Sequence, residues 1–211
     1  MSTVMELTMH AKPGHFERLQ DVYANVVNTI ENNIDDTRMI MIVADPATEM
    51  LRGIGLYEHA DVVESFPDVP FFVEFAEAAA PHLSGPSERV ELQVEHIFVG
   101  DGLVVDGGQP AVAEITLHAR FGQIEEVLAA YTKFFEYLQA NLAGTWLLLM
   151  GADRGSGVVR GFGLYADQAI ADSVMSLAAS AEFAKSVEPF LISPLERVEH
   201  RLLHLFLSDG S

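Results

Sequence analysis

Apolar and polar residues alternate over residues 4–11, with Met5, Leu7 and Met9 on one side and Glu6, Thr8 and His10 on the other. A period of two is that of a β-strand, and Pro13-Gly14 ends it. Phe16, Leu19, Tyr23, Val26, Val27 and Ile30 then recur at three and four residues, the apolar stripe of an amphipathic helix. Residues 39–43 are apolar on both sides, which predicts a strand covered on both faces, and Asp45-Pro46 supplies the following turn. In a third strand, residues 52–57, Gly53, Gly55 and Tyr57 share one face and Arg52, Ile54 and Leu56 the other. Residues 60–83 read as a helical region that Pro67 and Pro70 must interrupt. Residues 89–99 close the set as a long strand.

The whole pattern recurs 108 residues later. Residues 4–99 align without a gap on residues 112–207, and about 30 of the 96 pairs are identical. Arg52-Gly53-x-Gly55-Leu56-Tyr57 meets Arg160-Gly161-x-Gly163-Leu164-Tyr165, and Glu88-Arg89-Val90-Glu91 meets Glu196-Arg197-Val198-Glu199. Ile124, Val127, Leu128, Tyr131, Phe134, Phe135 and Leu138 repeat the helical stripe. A period this long makes each copy a domain rather than a solenoid unit. Repeat 1 is therefore expected over 1–99 and repeat 2 over 112–211. The 100–111 segment between them, with Gly100, Gly102, Gly107, Gly108 and Pro110, has the composition of a linker.

Each repeat reads as β-α-β-β-α-β, an α+β ferredoxin-like unit. With right-handed crossovers this order gives a four-stranded antiparallel sheet, strand order 4-1-3-2, with both helices on one face. The other face would be bare and apolar. The expected solution is sheet-to-sheet packing of the two repeats into one eight-stranded barrel, a monomeric pseudo-dimer; whether it pairs again is left open.

Composition narrows the function. At 49% hydrophobic residues the chain is no disordered polymer. Its formal charge of −19 repels phosphate backbones and anionic head groups, so neither nucleic acid nor membrane is an expected partner. There is no cysteine for a disulfide, thiol nucleophile or thiolate metal site. No basic-then-apolar leader and no apolar stretch long enough to span a bilayer occur, and the expected location is the cytoplasm. Nucleotide-binding glycine motifs are absent, and Gly155-Ser156-Gly157 reads as a turn rather than a nucleophile elbow.

Further residues carry a family likeness: Phe72-x-x-Phe75-x-Glu77-Ala78-x-Ala80-Pro81-x-Leu83-x-x-Pro86-x-Glu88 with Leu56-Tyr57 in repeat 1, and Glu182-Phe183, Pro189-x-Leu191-x-x-Pro194-x-Glu196 with Leu164-Tyr165 in repeat 2. On these the sequence resembles the dimeric α/β-barrel superfamily, in particular the antibiotic biosynthesis monooxygenase-like domains, in tandem. The resemblance implies oxidation of quinols or polycyclic phenols by O2 without bound metal or flavin, in a pocket between sheet and helices, one per domain. Some relatives degrade haem and others have no known reaction. The chain departs from the family where a histidine often precedes the helical motif (Phe71 and Ala179 here), where haem-degrading members hold an asparagine (Leu7 and Ile115), and where an acidic residue often stands near the third-strand aromatic (Gly55 and Gly163).

Two clusters are candidate sites. Alternate glycines delete side chains from one face of the third strand, leaving a void or room for close approach. Gly53 and Gly55 with Tyr57 and Tyr23, and Gly161 and Gly163 with Tyr165 and Tyr131, are thus candidates to bind an aromatic ligand by stacking and a hydrogen bond; the competing reading is tight helix-on-sheet packing. The second cluster, His10, Arg52 and Glu91 with its copy His118, Arg160 and Glu199, offers a base, a cation and a carboxylate, or else a satisfied ion-pair network. His10, His96, His118 and His204 with Glu6 and Glu114 lack metal-motif spacing, so no metal is expected. Trp146, aligned with Arg38, marks divergence between the repeats. The leading expectation is a cofactor-independent monooxygenase for a small apolar or aromatic, quinol-like molecule. Tyr57 and Tyr165 would orient it, and His10/Arg52 and His118/Arg160 would give electrostatic support. The rivals are a non-catalytic barrel that binds or only builds, and haem binding.

Overall fold

The computed structural model describes residues 2–34, 36–100 and 109–208; most of the expected linker, 101–108 with Gly102, Gly107 and Gly108, lies outside them. The elements are β1 (Thr3–His10), α1 (Phe16–Asn33), β2 (Thr37–Asp45), β3 (Met50–Tyr57), α2 (Ala60–Ser65), α3 (Pro70–Ala79) and β4 (Glu88–Val99), then β5 (Ala111–His118), α4 (Ile124–Asn141), β6 (Thr145–Asp153), β7 (Val158–Tyr165), α5 (Gln168–Ser176), α6 (Ala178–Val187) and β8 (Glu196–Leu207). The hydrogen-bonded order β1-β3-β2-β8-β5-β7-β6-β4 is that of a closed barrel. Within it each repeat keeps the 4-1-3-2 order that its sequence predicts. Among the described residues no helix is long and apolar enough to cross a membrane.

By contacts the chain divides into two compact units, Met1–Leu92 with Leu202–Ser211, and Gln93–Arg201. In the first, β1 pairs antiparallel with β3 from Thr3↔Tyr57 to His10↔Met50, and β2 pairs with the other edge of β3. In the second, β5 and β6 flank β7 in the same way. There β5 also pairs with the first half of β8 (Ala111↔Arg201 to Thr116↔Glu196), and β6 with the second half of β4 (Gln93↔Ala152 to Val99↔Leu147). The register slips at Arg38 between Thr37 and Met39, and at Trp146 between Thr145 and Leu147. The aligned position where the repeats differ as Arg against Trp thus sits at a register shift in both.

The alternation of β1 holds in three dimensions. Met5 packs with Val63 and Phe66, and Met9 and Leu7 with the α1 stripe, while Glu6 and Thr8 are buried on the opposite face and His10 is exposed. In the second unit one contiguous cluster joins β5, α4, α5 and α6, including Tyr131, Phe134, Phe183 and Val187. In the first unit the corresponding apolar residues include one cluster around Tyr23 and Phe75 and one around Met5, Tyr57 and Phe66, with Ile34 and Phe72 packed against both.

Pro67 and Pro70 break the second helical region of repeat 1 as expected, with a 3-10 turn at Phe66–Asp68 before α3. Repeat 2 breaks at the same place without proline: Leu177 is extended (ψ 140°), and its side chain packs into the core. The break therefore belongs to the fold, and the prolines of repeat 1 conform to it. Ala178 is the first residue of α6, the position Pro70 holds in α3, where proline costs no hydrogen bond and the preceding residue is already extended. Ala178→Pro is expected to stabilise the protein by about 0.5 kcal/mol through the unfolded chain, read as an increase in the urea midpoint; a decrease would show that α6 begins differently.

Candidate functional site

The glycine–tyrosine faces are filled. A Cβ on Gly53 would lie 1.9 Å from the Tyr23 hydroxyl, and one on Gly55 would lie 2.4 Å from that of Tyr57. Gly161 and Gly163 stand in the same relation to Tyr131 and Tyr165, at 2.2 and 2.3 Å. The rings thus lie in the space that the missing side chains leave, and the helices pack close on β3 and β7. Tyr131 also donates a hydrogen bond to the Ile115 carbonyl at 3.3 Å. All four tyrosines are buried, and burial raises their phenol pKa values, that of Tyr165 to about 12. They are neutral side chains at physiological pH.

Open volume lies beside β1 instead. An open cavity of about 620 Å³ in the first unit is lined by Met5, Leu7 and Met9 of β1, by Phe72, Phe75 and Ala79 of α3, and by Leu83, Ser87 and Arg89. Phe66, which the Tyr57 ring meets edge-on at 5.2 Å, lines its end. Tyr57 therefore supports the wall from behind. Its lining draws on both apolar clusters of that unit. Its lining is apolar apart from Glu77, Ser87 and Arg89. The Arg89 guanidinium donates to the Val63 carbonyl at 2.8 Å and pairs with Glu91 at 2.7 Å. Of the cavity lining, the sequence had put Met5, Leu7 and Met9 on the helix side of the first strand and Phe72, Phe75, Glu77, Ala80 and Leu83 in the family likeness, but had offered none as a site residue. The signal that could have found the cavity is a difference between repeats, with Ala79 and Ser87 aligned on Val187 and Leu195.

The expected ionic triads do not assemble as triads. In repeat 1, Arg52 donates to the Thr8 hydroxyl at 2.8 Å, His10 is exposed, and Glu91 is held by Arg89. In repeat 2, Glu199 pairs with Arg197 and accepts from Gln168 at 2.7 Å. The reason is register: β8 sets Glu196 opposite Thr116 and Glu199 opposite Ala113, five residues along β5 from His118. Arg160 instead meets Glu114 at 3.2 Å and Thr116 at 3.1 Å, and the second oxygen of Glu114 lies 2.8 Å from Nε2 of His200. Both Glu114 and His200 are buried. Sequence reasoning missed this cluster because repeat 1 has Leu92 where repeat 2 has His200, so the duplication does not point to it.

The remaining histidines are dispersed. His204 pairs with Glu31 at 2.5 Å. His96 packs on Phe135, and burial lowers its pKa against the opposing effect of Glu136. His15 and His82 face each other, Nδ1 to Nδ1 at 2.9 Å, where repeat 2 has Gln123 and Phe190. Among the described residues no group of three or more His, Asp or Glu side chains is placed to hold a metal.

No protein-family model matches the chain, and no curated protein matches it in sequence. Solved structures do. A Fusobacterium nucleatum protein provisionally named a monooxygenase superposes on 100% of this chain and 96% of its own, with TM-score 0.86 at 12% identity. An anthrone oxidase-like protein matches 99% of this chain and 94% of its own, with TM-score 0.71 at 12% identity. A Listeria monocytogenes ferredoxin-fold protein related to antibiotic biosynthesis monooxygenases matches 97% and 95%, with TM-score 0.56 at 10% identity. The chain thus has, over its whole length, the fold of the antibiotic biosynthesis monooxygenase-like proteins, as two ferredoxin-like repeats in one closed barrel.

Two predictions follow from the filled faces. Gly53→Ala should cost about 1–3 kcal/mol through overpacking against Tyr23, measured by urea unfolding; a loss below about 0.5 kcal/mol would place that ring elsewhere. The buried phenols make folding stability pH-dependent on the alkaline side only. Because the native pKa of Tyr165 is about 12 against an ordinary 10, the unfolded chain loses this proton first. Stability is full below pH 10 and falls between pH 10 and 12, by up to about 1.4 kcal/mol per pH unit for one such group. Tyr165→Phe should flatten that decline, seen in urea midpoints at pH 9 and 11.

Proposed function

We propose that the cavity of the first unit binds a flat, apolar aromatic molecule with an acidic hydroxyl and promotes its oxidation by O2 without a metal or flavin. The observation that carries this reading is an apolar volume of about 620 Å³ with a single guanidinium, Arg89, in its lining. Met5, Phe66, Phe72 and Phe75 exclude water and stack against the ring system. Arg89, fixed by the Val63 carbonyl and Glu91 at the exposed edge of the cavity, stabilises the hydroxylate by its charge. Glu77, the carboxylate of the lining, takes the proton and passes it to solvent.

The electron-rich anion then reduces O2. For a substrate with an activated CH2 beside the ring, one oxygen atom becomes a carbonyl, the other leaves as water, and the substrate supplies all four electrons. The fold shared with the Fusobacterium protein and the anthrone oxidase-like protein supports the same class of chemistry.

A second reading, binding without turnover, is favoured by Phe71 and Ala179 standing where the resembled family often has histidine. Incubating the protein with hydroquinones, naphthols and anthrones under O2, while following oxygen uptake and product spectra, separates the two. Oxygen uptake with kcat/KM lowered about 10²-fold by Arg89→Gln is expected. Saturable binding with every compound recovered unchanged would leave the second reading, and turnover indifferent to Arg89→Gln would remove that residue from the mechanism.

A further inference from the structure

The repeats are alike in fold but not in the space beside their first strands. In repeat 1, Ala79 and Ser87 line the cavity that reaches Met5, Leu7 and Met9. In repeat 2 the aligned residues are Val187, fully buried, and Leu195, packed against the core. The groove left there, about 460 Å³, is lined by Leu191, Leu195, Glu188 and others, but by no residue of β5. Ala113, Ile115 and Leu117, which align with the floor of the cavity, belong instead to the contiguous core of the second unit. At these two lining positions repeat 2 carries the larger, apolar side chain.

We infer that the chain takes one ligand per polypeptide, that Ala79 and Ser87 are the specificity-determining positions that open the site, and that Val187 and Leu195 plug its counterpart. This rests on the reading that the cavity beside β1 binds an apolar aromatic molecule. The physical ground is that protein cores are close-packed, so a few methyl groups decide between a filled and a vacant site. A dry apolar cavity of about 150 Å³ already admits a benzene ring. In the second repeat the aromatic residues Tyr131, Phe134 and Phe183 pack on one another instead, Phe134 and Phe183 stacked at 4.6 Å.

Exchanging the two pairs tests the inference, with 2-naphthol followed by fluorescence titration. The wild-type protein should bind one equivalent. Ala79→Val with Ser87→Leu, which adds volume at the buried and the exposed end of the lining, should weaken binding at least tenfold. Val187→Ala with Leu195→Ser should bind two equivalents. Unchanged affinity in the first variant, or a single equivalent in a folded second variant, overturns the inference.

Should wild-type protein ignore 2-naphthol, the ligand reading itself fails and xenon decides the packing claim. Xenon is expected to shift the NMR signals of the Met5 and Met9 methyls in wild type and not in Ala79→Val/Ser87→Leu. Persistence of those shifts in the filled variant refutes the claim. If Val187→Ala/Leu195→Ser does not fold, Val187→Ala alone is read by the xenon response of the Leu191 methyls, and no response there also overturns the inference.

Discussion

A helix can approach a sheet only as closely as the side chains between them permit, and here that distance is set by tyrosine rings lying over glycines. Gly53 with Tyr23 and Gly161 with Tyr131 bring the first helix of each repeat down onto its third strand, while Gly55 with Tyr57 and Gly163 with Tyr165 fill the adjacent positions. With the third-strand face of the first unit filled in this way, its open volume of about 620 Å³ lies further across the sheet, beside the first strand. The position of the cavity follows from this contact, and so does the role of Tyr57, which braces Phe66 rather than reaching a ligand.

Charge is handled differently on the two faces. On the helix-bearing face of the first unit Arg89 sits at the edge of the cavity, held by one carbonyl and one carboxylate. On the opposite face Glu114 is buried with Arg160, Thr116 and His200 around it. A carboxylate removed from water at that depth needs such partners, since a buried unpaired charge is strongly destabilising. The repeated acid-and-arginine pattern of the strands is therefore as much a condition of building the fold as a resource for chemistry.

Duplication gives the chain two versions of each solution, and the differences between them are informative. Arg38 and Trp146 differ at a register shift between the second and third strands. Leu92 and His200 differ beside a buried carboxylate. Ala79 and Val187, and Ser87 and Leu195, differ at the cavity lining, where repeat 2 carries the larger, apolar side chain. Where the repeats agree, in the third-strand glycines and the tyrosines lying over them, they agree on residues that fix the spacing of helix and sheet.

Periodicity by itself determined the strands, the first helix of each repeat, the β-α-β-β-α-β order and the assignment of Met5, Leu7 and Met9 to the helices, because these depend on neighbours within a few residues. The 108-residue self-alignment determined that the same unit is built twice. The filling of the glycine faces by Tyr23 and Tyr131 required the helix to be docked. Separation of Glu199 from His118 was decided by a strand register, and that register depends on pairing across more than 80 residues of chain. The helix break at Leu177 arose without proline because the core holds that side chain. The cavity, finally, depends on the summed volumes of side chains from β1, α3 and the approach to β4. Such a sum exists only after those segments have been brought together.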